Sequence, residues 1–214
     1  NASNCVSVTK LDCKDYKQLS ELNLSGCTAL NQLDCSGKQL TSLDLSGCSA
    51  LKELECTNNR LTSLNLSDCI SLLKLDCSGN NLTSLDASDN TLLEKMNCSR
   101  NQLASLYIFN NTKLEELYCF QNQLTALYVP QSSVLMHIEC FGNQIKGDEM
   151  TRLMNSLPNR TGQKTGELIV VQEPLPEGNR CLKSDVFIAM GKNWKTLKIN
   201  LDKDPWETDN YEGF

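Results

Sequence analysis

The chain repeats itself every 21 residues. Six cysteines are spaced at this constant interval, and each ends an apolar–polar–Cys triplet: Cys35, Cys56, Cys77, Cys98, Cys119 and Cys140. A fixed period in the range of about 20–50 residues is the signature of one structural unit stacked on itself. Such stacks, called solenoids, mostly present surfaces for binding. The period therefore predicts the fold and favours a binding function.

One unit shows how a coil is built. Residues 51–71 follow the pattern LxxLxCxxNxLxxLxLxxCxx. Its Leu-x-Cys and Leu-x-Leu segments both alternate apolar and polar residues, which is the period of a half-buried strand. A single coil cannot bury its own Leu and Cys side chains. We therefore expect each coil to stack on the next through parallel strands that lie about 4.8 Å apart.

These motifs make the chain resemble the leucine-rich repeat proteins, in particular the short bacterial class whose 21-residue unit nests the halves LxxLxCxxN and LxxLDLxx. The resemblance covers residues 8–145 and includes the internalin-like adhesins. It implies an α/β fold: a right-handed solenoid of mostly short parallel strands with few helices in the repeats. We expect residues 1–146 to form the repeats, in about seven coils, and residues 147–214 to form a β/α cap on the same solenoid.

Two further positions recur with the repeat. An asparagine follows each ladder cysteine by three residues from the third copy onward, although Lys38 takes this position in the second copy: Asn59, Asn80, Asn101, Asn122 and Asn143. In the resembling family this asparagine turns inward and satisfies backbone groups at the bend. In the other half of the unit one position holds small residues that we also expect to face inward: Cys27, Cys48, Cys69, Asn90, Asn111 and Ser132.

Twelve cysteines in 214 residues would ordinarily indicate disulfides or a metal site. Eleven of them fall into the two ladders, and only Cys181 is left over. Neighbouring Cβ atoms in a stack lie about as far apart as the strands, roughly 4.8 Å, whereas a disulfide needs about 3.8 Å. Free buried thiols are therefore favoured over a bridged ladder. The chain has no CxxC motif and His137 is its only histidine, so we expect no metal and no cofactor.

Charge and hydropathy narrow the class of protein. The net charge of −6 and the absence of a basic patch argue against binding to nucleic acid or anionic membranes. No apolar run approaches the ~20 residues that span a bilayer. The chain begins without Met, which indicates that an upstream segment was removed and leaves room for a lipid anchor there. With the family resemblance, the polar coils favour a secreted or cell-surface bacterial protein.

After residue 147 the repeat stops and a strand–helix alternation begins. We expect Asp148 and Ser184 to be helix N-caps, and the pair Asn193-Trp194 also occurs in the helical ending of the resembling proteins. The tail residues Trp206, Tyr211 and Phe214 are either docked on the cap or frayed. The predicted elements are a helix at 148–157, a buried strand at 168–171, a helix at about 185–193 and an alternating strand at 197–201.

Aromatic residues mark the end of one face of the predicted stack. In the outward positions around the Leu-x-Cys strands the first five copies hold polar or charged residues, and the last two hold the rings that we take as the candidate ligand-binding site: Tyr118, Phe120, Phe141 and His137. Alternatively, the C-terminal segment covers these rings. A second candidate patch consists of Tyr107, Phe109 and Tyr128 on the other strands, and lateral dimer packing is its alternative explanation.

The middle outward position also carries a row of carboxylates, Asp12, Asp34, Glu55 and Asp76. Neighbouring carboxylates at stack spacing repel each other by about 1 kcal/mol in water. The simpler interpretation is a solvated face. In the functional interpretation, the row attracts a basic partner surface or Ca²⁺.

The residues contain no pattern typical of catalysis. There is one histidine, no Ser or Cys nucleophile with a recognisable base, and no glycine-rich phosphate loop. The sequence therefore predicts a non-enzymatic module, secreted or on the bacterial surface, that recognises a protein or glycan ligand through a face of the solenoid. The alternative is a structural unit that assembles into a larger surface complex. In either case we expect a monomer or a weak dimer.

Overall fold

The computed structural model describes residues 2–13, 16, 18–132, 134–173, 178–200 and 208–213, with the backbone only at residues 200 and 208. In chain order the elements are β1 (Lys10–Asp12), β2 (Glu21–Asn23), β3 (Gln32–Asp34), β4 (Ser42–Asp44), β5 (Glu53–Glu55), β6 (Lys74–Asp76), β7 (Ser84–Asp86), β8 (Lys95–Asn97), β9 (Ser105–Tyr107), β10 (Glu116–Tyr118), β11 (His137–Glu139), α1 (Asp148–Ser156), β12 (Gly166–Glu173), α2 (Lys183–Gly191), β13 (Trp194–Asn200) and β14 (Thr208–Asn210).

The Leu-x-Cys segments form one long sheet. Its order is β1-β3-β5-β6-β8-β10-β11-β12-β13-β14, and the strands that come from the repeats pair in parallel and in register. The second extended segments pair as two short parallel sheets, β2 with β4 and β7 with β9. The predicted solenoid of parallel strands is therefore confirmed. Because each coil supplies one rung, equivalent side chains of successive coils form continuous rows.

The asparagine ladder is buried and bonds as predicted. Asn101 donates from Nδ2 to the carbonyl oxygens of Cys77 and Cys98, both at 3.1 Å, and its Oδ1 accepts the N–H of Leu82 at 3.0 Å. Each of these backbone groups lies at a bend, where strand pairing cannot reach it. The same pattern holds for the other members, Asn59, Asn80, Asn122 and Asn143.

The cysteines are core residues. All twelve belong to the described part of the chain, none is bridged, and all except Cys5 are buried. In the second ladder the side chain bonds back to the preceding coil: Cys48 Sγ donates to Leu24 O at 3.3 Å and Asn90 Nδ2 donates to Leu66 O at 3.0 Å. Cys and Asn exchange at this position because both are small and both donate to the equivalent carbonyl oxygen of the preceding coil.

The C-terminal segment adds rungs to the same sheet. β12 pairs in parallel with β11, and β13 pairs in parallel with β12. β14 then pairs with β13 in the antiparallel direction, which the sequence pattern did not predict. Tyr211 is docked, since its ring is buried and its hydroxyl donates to Cys181 O at 3.1 Å. Trp206 and Phe214 lie outside the described residues.

Both predicted helices are present, but both predicted N-caps are wrong, Asp148 by one position and Ser184 by two. α1 is preceded by Gly147 at φ 58°, so Asp148 is its first helical residue. α2 follows Leu182, whose N–H is accepted by the Asp185 carboxylate at 2.9 Å. Asp185 also accepts a hydrogen bond from Thr151 on α1 at 2.6 Å. Asp185, and not Ser184, therefore serves the start of α2, and it also links the two helices.

Candidate ligand-binding face

The outward side of the long sheet carries three rows of side chains, which we name the flanking row, the central row and the ring row. A groove of about 440 Å³ lies on this face, lined mainly by side chains of β5, β6, β8 and β10. The flanking row contains Gln32, Glu53, Lys74, Lys95, Glu116 and His137; the central row contains Asp12, Asp34, Glu55, Asp76, Asn97, Tyr118 and Glu139; the ring row contains Ser36, Thr57, Ser78, Ser99, Phe120 and Phe141.

Charges in the flanking row are paired along the stack. Glu53 accepts from Lys74 Nζ at 3.0 Å and from Gln32 Nε2 at 2.7 Å, and the hydrogen bond from Lys74 lowers the pKa of Glu53. Lys95 donates to Glu116 at 2.7 Å, and this bond raises the pKa of Lys95. Parallel stacking places each residue beside its counterpart 21 positions away, so an acidic residue and a basic residue in successive coils form each of these pairs.

The central row is held by local turns. Asp76 Oδ1 accepts the backbone N–H and the hydroxyl of Ser78 at 3.0 and 2.6 Å, and Asn97 bonds Ser99 in the same way. Asn97 Nδ2 also donates to Asp76 Oδ2 at 3.0 Å. The hydroxyls and the amide of this region therefore already donate to groups within the face, while Glu55 projects into solvent as an exposed side chain.

The four predicted ring residues come together as two neighbouring pairs. Phe120 and Phe141 stack with centroids 4.6 Å apart and planes 9° apart, and Tyr118 lies 5.2 Å from His137 at a tilt of 44°. The guanidinium of Arg100 lies 5.8 Å from the Phe120 centroid, within the range of a cation–π contact. Of these rings, Tyr118 and Phe120 line the groove, and they are the only aromatic side chains in its lining among the residues that the structure describes.

The alternative that the C-terminal segment covers the rings holds for Phe141. Its exposed fraction is 5%, because it packs in a small apolar cluster with Ile169 of β12 and Leu197 of β13. Tyr118, Phe120 and His137 are half-buried. The C-terminal rungs therefore cover one ring, while Tyr118 and Phe120 stay accessible along the groove.

His137 is held between two carboxylates. Its Nε2 lies 3.0 Å from Glu139 Oε1, and its Nδ1 lies 3.4 Å from Glu167 Oε2. Burial lowers the pKa of His137, but hydrogen bonds and charge from Glu139 and Glu167 outweigh it and raise that pKa above its usual value. Burial and the neighbouring Glu116 raise the pKa of Tyr118 to about 12, and the Tyr118 hydroxyl donates to Glu116 at 3.2 Å.

The second candidate patch is more exposed than the first. Tyr107, Phe109 and Tyr128 have exposed fractions of 50%, 62% and 53%. At the equivalent position of earlier coils an Asp or Asn side chain accepts hydrogen bonds from the Ser two residues later, as Asp86 does from Ser88. In the two coils of this patch, aromatic residues take the place of that Asp or Asn. The Tyr128 hydroxyl donates to Glu149 Oε2 at 2.9 Å, which links the patch to α1.

A third surface, at the C-terminal end, was not predicted from the sequence. A cleft of about 700 Å³ lies between α2, β13 and the segment after β14, and Phe187 and Met190 of α2 are exposed beside it. Val186 and Ala189 are the buried pair of this helix. Both pairs have the same i, i+3 spacing, so periodicity could not tell which one faces the core.

The described residues contain no group of three His, Cys, Asp or Glu side chains placed to hold a metal ion. In that same part of the chain, neither helix has the length and apolarity needed to cross a membrane.

Comparisons with known proteins show the fold. A leucine-rich repeat protein of Leptospira interrogans is similar over 84% of this chain and 47% of its own length, with a TM-score of 0.58 and 21% identity. The functional domain of InlJ from Listeria monocytogenes, which includes a cysteine ladder, matches over 89% of this chain and 63% of that one, with 17% identity and a TM-score of 0.25. This chain thus spans about half the length of the Leptospira protein. No family model matches it, and no curated protein matches it. The chain has the leucine-rich repeat fold.

Proposed function

We propose that this chain is a non-enzymatic binding module of a bacterial surface or secreted protein, and that it recognises a protein or glycan ligand through the outward face of its long sheet. The observation that carries the proposal is the position of the accessible rings. Tyr118 and Phe120 lie at the end of a 440 Å³ groove, beside charged and amide side chains of the central row. Aromatic rings at such a place give contact area at low entropic cost.

The composition of the two ring-bearing coils supports this proposal. The inward Leu and Cys positions hardly change between coils, whereas the ring row changes from Ser or Thr to Phe at Phe120 and Phe141. Phe120 stacks on Phe141 and packs against the apolar cluster that contains it, which restricts the Phe120 ring without burying it completely. A ring held in this way loses little freedom when a ligand packs on it.

A binding screen tests the proposal. The purified chain is applied to arrays of host proteins and glycans, beside a Tyr118→Ala/Phe120→Ala variant whose circular dichroism matches the parent. We expect at least one ligand whose affinity the variant lowers by about 1–2 kcal/mol or more, as is typical of aromatic contact residues. A Tyr107→Ala variant serves as the matched control. Equal binding by parent and face variant to every ligand found would refute the proposal.

The second candidate function is assembly of the chain into a larger surface complex. The exposure of Tyr107, Phe109 and Tyr128 favours it, since large apolar patches on monomers are uncommon. Sedimentation of the parent and a Tyr107→Ala/Phe109→Ala/Tyr128→Ala variant decides between the two. Assembly requires a dimer or larger species that the variant loses. A monomer at all concentrations contradicts self-assembly through this patch.

A further inference from the structure

We infer that the ligand of the sheet face is a basic protein segment, whose Lys or Arg side chains lie along the central row while an apolar side chain packs against Tyr118 and Phe120. This inference rests on the proposed function and deepens it by naming the class of partner. Three features of the face carry it: its net charge, the location of the carboxylates that no ammonium group pairs, and its surplus of hydrogen-bond acceptors.

The groove has a negative net charge. Its lining contains five carboxylates and two ammonium groups, which gives a net charge of −3. Both ammonium groups are already paired with a neighbour, Lys74 with Glu53 at 3.0 Å and Lys95 with Glu116 at 2.7 Å. The excess charge therefore belongs to the central row, at Glu55, Asp76 and Glu139.

Carboxylates of the central row repel one another along the stack. Each lies one rung from the next position of its row, at the strand spacing of roughly 4.8 Å. In this chain Asn97 interrupts the row and donates to Asp76 at 3.0 Å, and His137 lies 3.0 Å from Glu139. Glu55 is exposed and points into solvent. A cationic side chain that bridges Glu55 and Asp76 relieves this repulsion, whereas a neutral ligand leaves it in place.

Hydrogen-bond capacity also favours a cation over a neutral sugar. Acceptors outnumber donors in the central row, where Ser78 Oγ and Asn97 Nδ2 already donate to Asp76. A carboxylate has about four lone-pair sites, so acceptor capacity remains. Lys and Arg side chains are donors only, and they match a face that offers acceptors.

The rings complete the site at one end. The Tyr118 hydroxyl already donates to Glu116, so its ring and not its hydroxyl is offered to a partner. Arg100 lies over Phe120, which places this chain's own cation at the ring end and leaves the carboxylates for the partner's cations. The expected partner segment therefore has basic residues on one side of an apolar anchor.

Three labelled probes test the inference in fluorescence-anisotropy titrations of the full chain. The first is a short peptide that alternates Lys with Gly and carries one Phe at one end. The second is the same peptide with Glu in place of Lys. The third is a neutral oligomer of N-acetylglucosamine. We expect the Lys peptide to bind, its affinity to fall as salt is raised, and the other two probes to bind at least tenfold more weakly.

Charge-neutralising variants locate the binding. Glu55→Gln/Asp76→Asn removes two charges from the face, and Asp44→Asn/Asp86→Asn removes two charges from the other limb, where Asp44 and Asp86 form the same turn with serine. We expect the face variant to lower the affinity for the Lys peptide about fivefold or more and the control to leave it unchanged. Equal loss in both variants would show net-charge attraction only and overturn the inference.

The remaining outcomes separate this inference from the proposed function. If the sugar oligomer binds and the Tyr118→Ala/Phe120→Ala variant abolishes that binding, the face is a binding site but its partner is not basic. If the Glu peptide binds as well as the Lys peptide, the inference is likewise overturned. If the Lys peptide does not bind the parent, the inference fails, and the array screen with the ring variant still decides the proposed function.

Discussion

Asn179 continues the hydrogen bonding of Asn143 one rung further along the stack, although 36 residues separate the two. Asn143 Oδ1 accepts the N–H of Leu124 at 3.0 Å, and Asn179 Oδ1 accepts the N–H of Ile145 at 2.8 Å, 21 positions later. Asn179 Nδ2 also donates to Cys140 O and Val170 O at 2.8 and 2.9 Å. The ladder thus extends into the C-terminal segment through a residue that the period does not place there.

Gly178 makes this extension sterically feasible. A Cβ at this residue would lie 1.9 Å from the carbonyl oxygen of Asn143. We expect Gly178→Ala to push the loop away, and Asn179→Ala to leave buried backbone groups unpaired, so that each lowers the free energy of unfolding by about 1–3 kcal/mol. Urea denaturation measures the change, with the exposed Gln123→Ala as control. If Asn179→Ala is no worse than Gln123→Ala, then Asn179 does not act as a ladder residue.

The two stacked phenylalanines should differ in their effect on stability. Phe141 is 5% exposed between Ile169 and Leu197, so Phe141→Ala should cost about 3–5 kcal/mol of unfolding free energy, as for a buried phenylalanine. Phe120 is half-buried, and Phe120→Ala should cost clearly less. The measurement is urea unfolding of both variants. Equal costs would contradict the assignment of Phe141 to the core and Phe120 to the binding face.

The cysteine ladder should behave as a row of free, unreactive thiols. Burial raises the pKa of Cys56 well above its ordinary value, so the folded chain should react slowly with a thiol reagent. Denatured, unreduced protein should then titrate with most of its twelve thiols free. If fewer than half of the thiols titrate as free, the assignment of the cysteines to the core is contradicted.

Serine substitution tests the same ladder by stability. Cys56→Ser should destabilise by about 1–3 kcal/mol, because it buries a hydroxyl in an apolar row. Cys77→Ser should cost less, since Cys77 Sγ already lies 3.6 Å from Asn97 O, a ready acceptor for the hydroxyl. Thermal and urea unfolding of both variants give the comparison. A neutral effect of Cys56→Ser would mean that this position is not in the core.

His137 should make stability depend on pH near neutrality. Its pKa is raised in the folded state, since Glu139 and Glu167 face its two nitrogens and Glu116 lies on the neighbouring strand. The stabilisation that protonated His137 contributes is fully present below its unfolded pKa of about 6.5. It is lost as the pH rises through the higher pKa of His137 in the folded state. The unfolding midpoint should therefore fall over this window in the parent and stay flatter in His137→Gln. The same pH profile in both proteins would contradict the carboxylate contacts of His137.

The repeat made most of the solenoid predictable. A constant period with Leu, Cys and Asn at fixed positions determines which side chains face inward, and the buried states of Cys77 and Asn101 follow from it. The period also predicts parallel stacking, and this stacking makes equivalent residues such as Lys74 and Lys95 neighbours. These inferences need only local alternation and the identity of successive coils.

The residues that escaped prediction are those without a periodic partner. Nothing in the sequence shows that Ile169 and Leu197 lie beside Phe141, since these strands follow segments of different length. Asp185 accepts the Leu182 N–H at the start of α2 and also a bond from Thr151 on the other helix, and local patterns cannot reveal this second contact. The sequence therefore left open whether the C-terminal segment covers the candidate rings, and Phe141 is the ring that it buries.

Hydroxyl-radical footprinting of the chain with its first identified ligand tests the central claim most directly. The method reports, ring by ring, which aromatic side chains become protected on binding. The proposed function predicts protection of Tyr118 and Phe120, with Tyr107, Phe109 and Tyr128 labelled as in the free protein. Protection of Tyr107, Phe109 and Tyr128 instead, with Tyr118 and Phe120 unchanged, would contradict the assignment of the sheet face as the binding site.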